Sequence, residues 1–285
     1  MPELPEVSAL AGGLTDRMRG RTVAAARLRS VGALKTYDPP LQALVGLTVD
    51  GWTRHGKFLD MSAGDLHLIV HLARAGWIRW RDRVTEARST LRGPLALQLE
   101  LEGGCGIDIT EQGTEHRLAL SVVRQPADVP GIARLGVDVL DSGLDPASLG
   151  ALLSQRKGQL KTVLADQSLI AGVGNAYSDE VLHAARLSPF RHAAALTEDE
   201  IGRLHTALRS VMIEAVHRAG GVDIADLKPD KKQHLSVHGR TGEPCPVCAD
   251  TIREVSLATR SFQYCPTCQT GGRVLADRRL SRLLR

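Results

Sequence analysis

Aromatic residues are scarce in this 285-residue chain, at 3%. That scarcity argues against a single-strand binder built on stacking platforms, which needs aromatic faces for successive bases. Long hydrophobic runs are also missing. The longest apolar stretch, residues 66–80, is interrupted by His67, His71, Arg74 and Arg79, far short of the ~18 uncharged residues that span a bilayer. No secretory leader is recognisable at the N-terminus, so a cytoplasmic protein without membrane contact is expected. Cysteines number only five, and in a reducing compartment they are not expected to form disulfides. Strong net charge is absent too, at +4. The charge is unevenly spread, however. Residues 231–285 hold ten Lys or Arg against four acids, a local +6 that leaves −2 for residues 1–230. A basic end on a near-neutral body fits a phosphate-backbone footprint; a solvated basic tail is the alternative.

Four of the five cysteines stand in two pairs, Cys245/Cys248 and Cys265/Cys268, separated by sixteen residues. Two CxxC knuckles at this separation fit four thiolates around one tetrahedral zinc, with the intervening residues long enough for a β-hairpin. Two redox motifs or a disulfide pair are the alternatives, and neither suits a chain without a leader. A four-cysteine site leaves no open coordination position, so the zinc is expected to be structural, its binding energy also folding energy. Cys105 is isolated and reads as an ordinary strand or turn thiol.

The chain opens Met1-Pro2-Glu3-Leu4-Pro5-Glu6. Removal of Met1 before a small residue exposes the secondary amine of Pro2. An α-amino group has a reference pKa of about 7.7–8.0, so a useful neutral fraction exists at physiological pH. Such an amine attacks an aldehyde carbon to give a Schiff base, and Glu3 beside it can move the protons.

Val7, Leu10, Leu14 and Met18 recur at helical spacing, with Gly20 as a stop. Residues 22–31, 47–53, 57–61, 66–72, 95–101, 107–110 and 117–123 read as short strands, a β-sandwich or barrel pattern. Residues 125–141 read as a linker. Helices are expected over 146–153, 160–165 and 174–185. A capping box at Thr197 and Glu200 opens a longer helix with Ile201, Leu204, Leu208, Val211 and Ala215 on its apolar face, ending at Gly220 and Gly221. The turn Gly172-Val173-Gly174-Asn175 precedes a helix N-terminus, where backbone amides can receive a phosphate.

In order along the chain, the Pro-Glu-Leu-Pro-Glu start, the Gly-Val-Gly-Asn turn and the four-cysteine finger resemble the Fpg/Nei family of DNA glycosylases. The resemblance runs from Pro2 to Gln269. It implies an α+β multidomain fold: an N-terminal catalytic β-sandwich with a flanking helix (1–124), a linker (125–145) and a helix–two-turn–helix DNA-binding domain (146–230). A β-hairpin zinc finger (231–270) and a basic extension (271–285) follow. It also implies Pro2 as the Schiff-base nucleophile at the sugar C1′ and Glu3 as the acid that helps open the ribose ring. Lys57 is then the lysine at the lesion phosphate and abasic sugar, and Arg260 the finger arginine that grips phosphates and assists δ-elimination. Asn175, Lys157 and Lys161 are the expected phosphate contacts, and Cys245, Cys248, Cys265 and Cys268 the ligands of one structural zinc. The partner is duplex DNA carrying damaged or abasic sites, held by a monomer and distorted to extrude the damaged nucleotide.

Two departures from the family pattern stand out. Arg74 occupies the place where many members carry a methionine wedge. Residues 110–117 replace the usual Arg-Arg-Phe-Gly loop, with Arg117 a partial substitute. Arginine can stack and hydrogen-bond where methionine only fills, so Arg74 remains the wedge candidate. The expected activity is a bifunctional DNA glycosylase and abasic-site lyase acting on oxidised bases by β,δ-elimination. The alternative is a binder of abasic or distorted DNA, or a lyase, with little glycosylase activity. A zinc-ribbon interaction module leaves Pro2, Glu3 and Asn175 unexplained.

Overall fold

Helix α1 (Leu4–Met18) buries Leu4, Val7, Leu10, Ala11, Leu14 and Met18, residues whose three- and four-residue steps put them on one face. Among the described residues eight strands follow: β1 (Val23–Leu28), β2 (Val49–His55), β3 (Phe58–Ala63), β4 (Leu66–His71), β5 (Gly76–Arg81), β6 (Leu95–Leu101), β7 (Gly106–Glu111) and β8 (Ala119–Val123). They form two four-stranded antiparallel sheets, ordered β1-β6-β7-β5 and β2-β3-β4-β8. Alternation sets the inner face. Leu59, Met61 and Ala63 of β3 and Leu66, Leu68 and Val70 of β4 share one core with Leu97, Leu99 and Leu101 of β6 and Ile107 and Ile109 of β7. This is a β-sandwich with α1 laid along β2. The computed structural model describes residues 1–85, 93–113, 115–256 and 261–276.

The chain divides into two compact units, Met1–Arg134 with Val216–Lys228, and Leu135–Ala215 with Pro229–Arg285. The first unit therefore takes in a late segment whose Ala219, Ile224 and Leu227 join the sandwich core. A helix-interior glycine explains how. A Cβ on Gly13 of α1 would lie 2.6 Å from Ile224 Cγ2, so only glycine admits the approach. Arg17 and Asp223 close the contact at 2.6 Å. Residues 130–133 of the expected linker form α2 (Pro130–Ala133), where Gly131 packs on the Phe58 ring.

In the second unit β9 (Val137–Asp138) pairs in parallel with β10 (Ile170–Ala171). The remaining elements are α3 (Pro146–Ser154), α4 (Leu160–Leu164), α5 (Asn175–Ala184), α6 (Glu198–Gly220), α7 (Leu227–His234), the hairpin β11 (Arg253–Ser256) and β12 (Ser261–Tyr264), and α8 (Pro266–Thr270). Most of the helical module falls in one unit with the finger, while the end of α6 and the first two residues of α7 belong to the first unit. The capping box forms as the spacing predicts: Thr197 Oγ1 accepts from Glu200 N at 3.2 Å, and Glu200 Oε2 accepts from Thr197 N at 2.8 Å. On α6 the buried apolar face is Leu204, Ala207, Leu208, Met212 and Ala215, with Met212 rather than Val211 pointing inward. α7 and β5 were not legible as elements in the sequence.

Candidate active site and metal centre

Pro2 and Glu3 sit at the head of α1, both buried, with Met1 exposed. With Met1 attached the Pro2 nitrogen is an amide, and only its removal gives the amine. Glu3 is the N-cap and forms a reciprocal capping box with Glu6, whose Oε2 accepts from the Glu3 N–H at 2.7 Å. This box fixes the direction in which the first residues leave the helix. Glu6, itself buried, is a supporting residue that the sequence reading passed over; the Glu-x-x-Glu spacing was its signal.

Lys57 lies in the β2–β3 turn, where Gly56 has φ +54°, a left-handed conformation that suits glycine. Three contacts show where that turn is carried. Arg19 Nε donates to Asp50 O at 2.8 Å, Thr15 Oγ1 accepts from Trp52 N at 2.8 Å, and Arg54 Nε donates to Ser8 Oγ at 2.9 Å. Helix and strand thus run antiparallel, and continuing the progression brings the turn towards the end of α1 that holds Pro2 and Glu3. Lys57 is buried to 8% exposure. Burial, and then the Lys57 charge, lower the pKa of His71, whose ring lies 4.6 Å from that of Phe58. Below the turn, buried Asp60 faces His55 Nε2 at 3.0 Å and His67 Nδ1 at 2.8 Å, anchoring β3 between its neighbours.

Arg74 occupies the tip of the β4–β5 turn. Ala73 has φ +49°, and Gly76 N donates to Leu72 O at 2.8 Å. A Cβ on Gly76 would fall 2.2 Å from that carbonyl oxygen, so glycine is required for the reversal. Arg74 is largely exposed and its Nη1 stands 3.8 Å from Glu115 Oε1, while Arg117 Nε is 3.4 Å from Glu115 Oε2. Glu111 Oε1 accepts from the N–H groups of Arg117 and Leu118 at 2.7 and 2.8 Å. The segment that departs from the family loop is therefore organised by two glutamates.

In the second unit, Gly172 has φ +104°. Gln167 holds the turn, its Oε1 accepting from Gly172 N at 3.0 Å and its Nε2 donating to Val173 O at 2.6 Å. Asn175 starts α5, half-buried, and its Nδ2 donates to Ser261 O of the finger hairpin at 3.3 Å. Lys157 is exposed in the α3–α4 connection. Lys161, expected at the DNA backbone, is not there. It is 1% exposed, with Nζ donating to Asp179 Oδ1 at 2.5 Å, Asn175 O at 2.7 Å and Ser178 Oγ at 3.2 Å. It also stands over the Phe262 ring at 5.1 Å. A buried ammonium needs such a full set of partners, so its role is to hold the head of α5. Arg260 and residues 277–285 of the basic extension lie outside the described residues. Of the extension before them, Leu275 N donates to Tyr264 Oη at 2.8 Å, which lays its start against the finger.

The Sγ atoms of Cys245, Cys248, Cys265 and Cys268 all lie within 4.8 Å of one another. Separations of 3.4, 3.5 and 3.9 Å match the ~3.8 Å edge of a tetrahedron with Zn–S bonds of about 2.3 Å, and none of the four is in a disulfide. The cluster fits one structural zinc. Around it, Glu180 accepts from Ser236 N, Val237 N and His238 N at 2.7–3.0 Å, and Asp179 Oδ2 faces His238 Nδ1 at 2.7 Å. Gln269 joins Cys265 N to Leu187 O. None of Asp179, Glu180 or Gln269 was picked out from the sequence; the adjacent acidic pair inside a short expected helix was the available sign. Cys105 is a buried thiol accepting from Arg21 Nη1 at 3.0 Å.

Three domain models match the chain. They are the formamidopyrimidine-DNA glycosylase N-terminal domain over residues 1–116, the formamidopyrimidine-DNA glycosylase H2TH domain over 135–226, and the zinc finger found in FPG and IleRS over 242–271. A formamidopyrimidine-DNA glycosylase of Moorella thermoacetica is 34% identical over 263 residues, covering 90% of this chain and 94% of that protein. An uncharacterized formamidopyrimidine-DNA glycosylase-like protein of Mycobacterium tuberculosis is 55% identical over 159 residues, 56% of this chain and 99% of that protein. Among solved structures, the MutM (Fpg) protein of Thermus thermophilus superposes with TM-score 0.79 at 33% identity, covering 94% of this chain and 98% of its own. The Lactococcus lactis enzyme, bound non-covalently to DNA containing an abasic site, gives 0.83 at 25% identity, covering 94% and 100%. A relative matched at a third identity along nearly its whole length, on a fold with the same sandwich, helical module and finger, settles the assignment: this chain belongs to the formamidopyrimidine-DNA glycosylase family of DNA-repair enzymes.

Proposed function

We propose that the chain is a bifunctional DNA glycosylase and abasic-site lyase that removes oxidised bases from duplex DNA and cuts the abasic strand by β,δ-elimination. The observation that carries this reading is the head of α1, where Pro2 and Glu3 are buried together and fixed by the Glu3–Glu6 box, on the side towards which the Lys57 turn runs. After loss of Met1, the Pro2 lone pair attacks C1′, and the glycosidic electron pair leaves with the base. The Pro2 nitrogen then loses its proton, Glu3 protonates the ring oxygen, and the nitrogen lone pair opens the ring to leave a cationic iminium. The iminium acidifies the adjacent C2′ hydrogen, so its removal expels the 3′ phosphate, and a second elimination expels the 5′ phosphate. Lys57 serves proton transfer and the lesion phosphate, with Arg260 at the flanking phosphates. Asn175, Lys157 and Arg74 are assigned to DNA contact, the protein acting as a monomer. Lactococcus lactis relatives solved with Fapy-dG DNA and with oxidised-pyrimidine DNA make oxidised bases of both kinds the substrates to try first.

A second reading, a lyase or abasic-DNA binder with little glycosylase activity, draws on the 111–118 segment. There Glu115 faces both Arg74 and Arg117, the two arginines available to fill the space left by an extruded base. Borohydride trapping on an abasic duplex, beside one with an oxidised base, separates the two. An adduct on Pro2 with both duplexes is expected, and Pro2→Gly should lose trapping while keeping DNA binding. Trapping on the abasic duplex alone moves the assignment to the second reading. Undiminished lyase activity in Pro2→Gly refutes the nucleophile, and full base release by Glu3→Gln refutes the acid.

A further inference from the structure

Nothing in the glycosylase chemistry uses His183. It lies in the last turn of α5, buried to 6% exposure, and its Nε2 stands 3.3 Å from Cys245 Sγ. This histidine belongs to the helical module and is sixty-two residues from the cysteine it meets. The backbone N–H groups of Val247 and Cys248 also face this sulfur, but they belong to the knuckle itself. His183 reaches it from a different element.

The chemistry of the pair follows from the charge on the centre. Four thiolates around Zn²⁺ carry a net −2, and a hydrogen bond donated to one sulfur draws off part of that charge. Outer partners of this kind orient metal ligands, and their loss typically costs about 10–100-fold in metal affinity. The geometry also has a mechanical consequence. α5 begins at Asn175, which donates to Ser261 O of the finger hairpin, and nears its end at His183 on the cysteine knuckle. Between them Glu180 accepts three backbone N–H groups of residues 236–238. The helix is thus fastened to the finger at its head, middle and tail.

We propose that His183 is an outer partner of the zinc centre, donating its Nε2–H to the Cys245 thiolate and tying the metal-bound knuckle to the helix that begins at Asn175. Zinc release is slowed by this bond, and the orientation of α5 is set partly by the metal.

The test uses the full zinc-loaded chain and two readouts independent of DNA cleavage. One is the rate of zinc transfer to excess chromophoric chelator. The other is the thiolate-to-metal charge-transfer band of the Co²⁺-substituted protein. His183→Leu is expected to release zinc about 10-fold faster or more and to move the band to lower energy, because a thiolate without a donor gives up its electron more readily. His183→Gln, which keeps an N–H donor of similar reach, should return both towards the parent values. Unchanged release and an unchanged band in His183→Leu overturn the proposal, as does equal loss in the Leu and Gln variants, which would mark a packing role. If the Leu variant does not assemble the site, Gln against Asn decides: the shorter Asn amide should fail where Gln succeeds, and identical bands refute the hydrogen bond.

Discussion

Replacing Lys161 with methionine separates two roles that a lysine in this segment can have. The ammonium is 1% exposed and donates to Asp179, Asn175 and Ser178 at 2.5, 2.7 and 3.2 Å. Methionine keeps much of the aliphatic volume but leaves the Asp179 carboxylate without its main counter-charge. Removing one partner of a buried pair costs about 3–5 kcal/mol. Asp179 retains His238 at 2.7 Å, which puts the expectation near the lower end, about 3 kcal/mol. At roughly 2–4 °C per kcal/mol for units of this size, the unfolding midpoint should fall by on the order of 10 °C. The second assay is the salt dependence of binding to an abasic-site duplex, measured well below the midpoint. Each lost phosphate contact lowers the slope of log K against log salt by about 0.9. Lys161→Met should leave the slope unchanged. Exposed Lys157→Ala should lower it by about 0.9 with little change in stability. A stable Lys161→Met protein with a slope reduced by one contact would falsify the buried role and restore the lysine to the DNA surface.

Three further outcomes follow from the same geometry. His71 has a pKa below its ordinary value of 6.5, through burial and then Lys57, so the unfolded chain binds more protons than the folded one just below pH 6.5. Its contribution to stability is therefore complete above pH 6.5 and lost as pH falls through that window; Lys57→Met should raise the His71 pKa in an NMR titration, and no movement refutes the coupling. Gly12 and Gly13 share α1 but should respond oppositely to alanine. Gly12 has open space, so Gly12→Ala is expected to stabilise by about 0.5–1 kcal/mol, whereas Gly13→Ala meets Ile224 and should destabilise by about 1–3 kcal/mol in denaturant unfolding. Chelating the zinc should raise hydrogen exchange not only in β11 and β12 but also at the head of α5, with β6 as the protected control; exchange confined to the finger would show that α5 is held independently.

Period and punctuation made the sandwich legible. Seven of the eight strands start within two residues of their expected positions, because Leu, Val and Ile alternate with polar residues between turn signals. β5 escaped because its boundary is a turn with no Gly-Pro or Asn-Gly signal: Ala73 takes a positive φ that nothing in Ala-Arg-Ala announces. α7 escaped because Leu227–His234 is almost entirely polar and shows no apolar period. The cysteine spacing located the metal centre completely, since four ligands in two knuckles are a local pattern. Pro2 and Glu3 were equally local. What could not be read was pairing at a distance. Lys161 meets Asp179 eighteen residues on, and His183 meets Cys245 sixty-two residues on. Whether a lysine faces a phosphate or a buried carboxylate depends on which helix packs beside it, and composition carries no record of that.

These long-range pairs converge on one helix. α5 holds only ten residues, too few to be stable alone in water, yet eight of them are buried, among them Asp179, Glu180 and His183, and at its head the carbonyl of Asn175 is bound by Lys161. Apolar packing alone would leave such a helix free to slide along its neighbours. The polar partners instead fix its rotation and its axial position, because each hydrogen bond or ion pair tolerates only small displacements while apolar contacts tolerate sliding. The phosphate contact proposed for Asn175 requires its backbone and side chain in one orientation, and the finger hairpin keeps register with it through Ser261. Cost and use therefore coincide. Burying charge at α5 is an expensive way to gain stability, and its return is the Asn175 turn and the finger hairpin held in one frame.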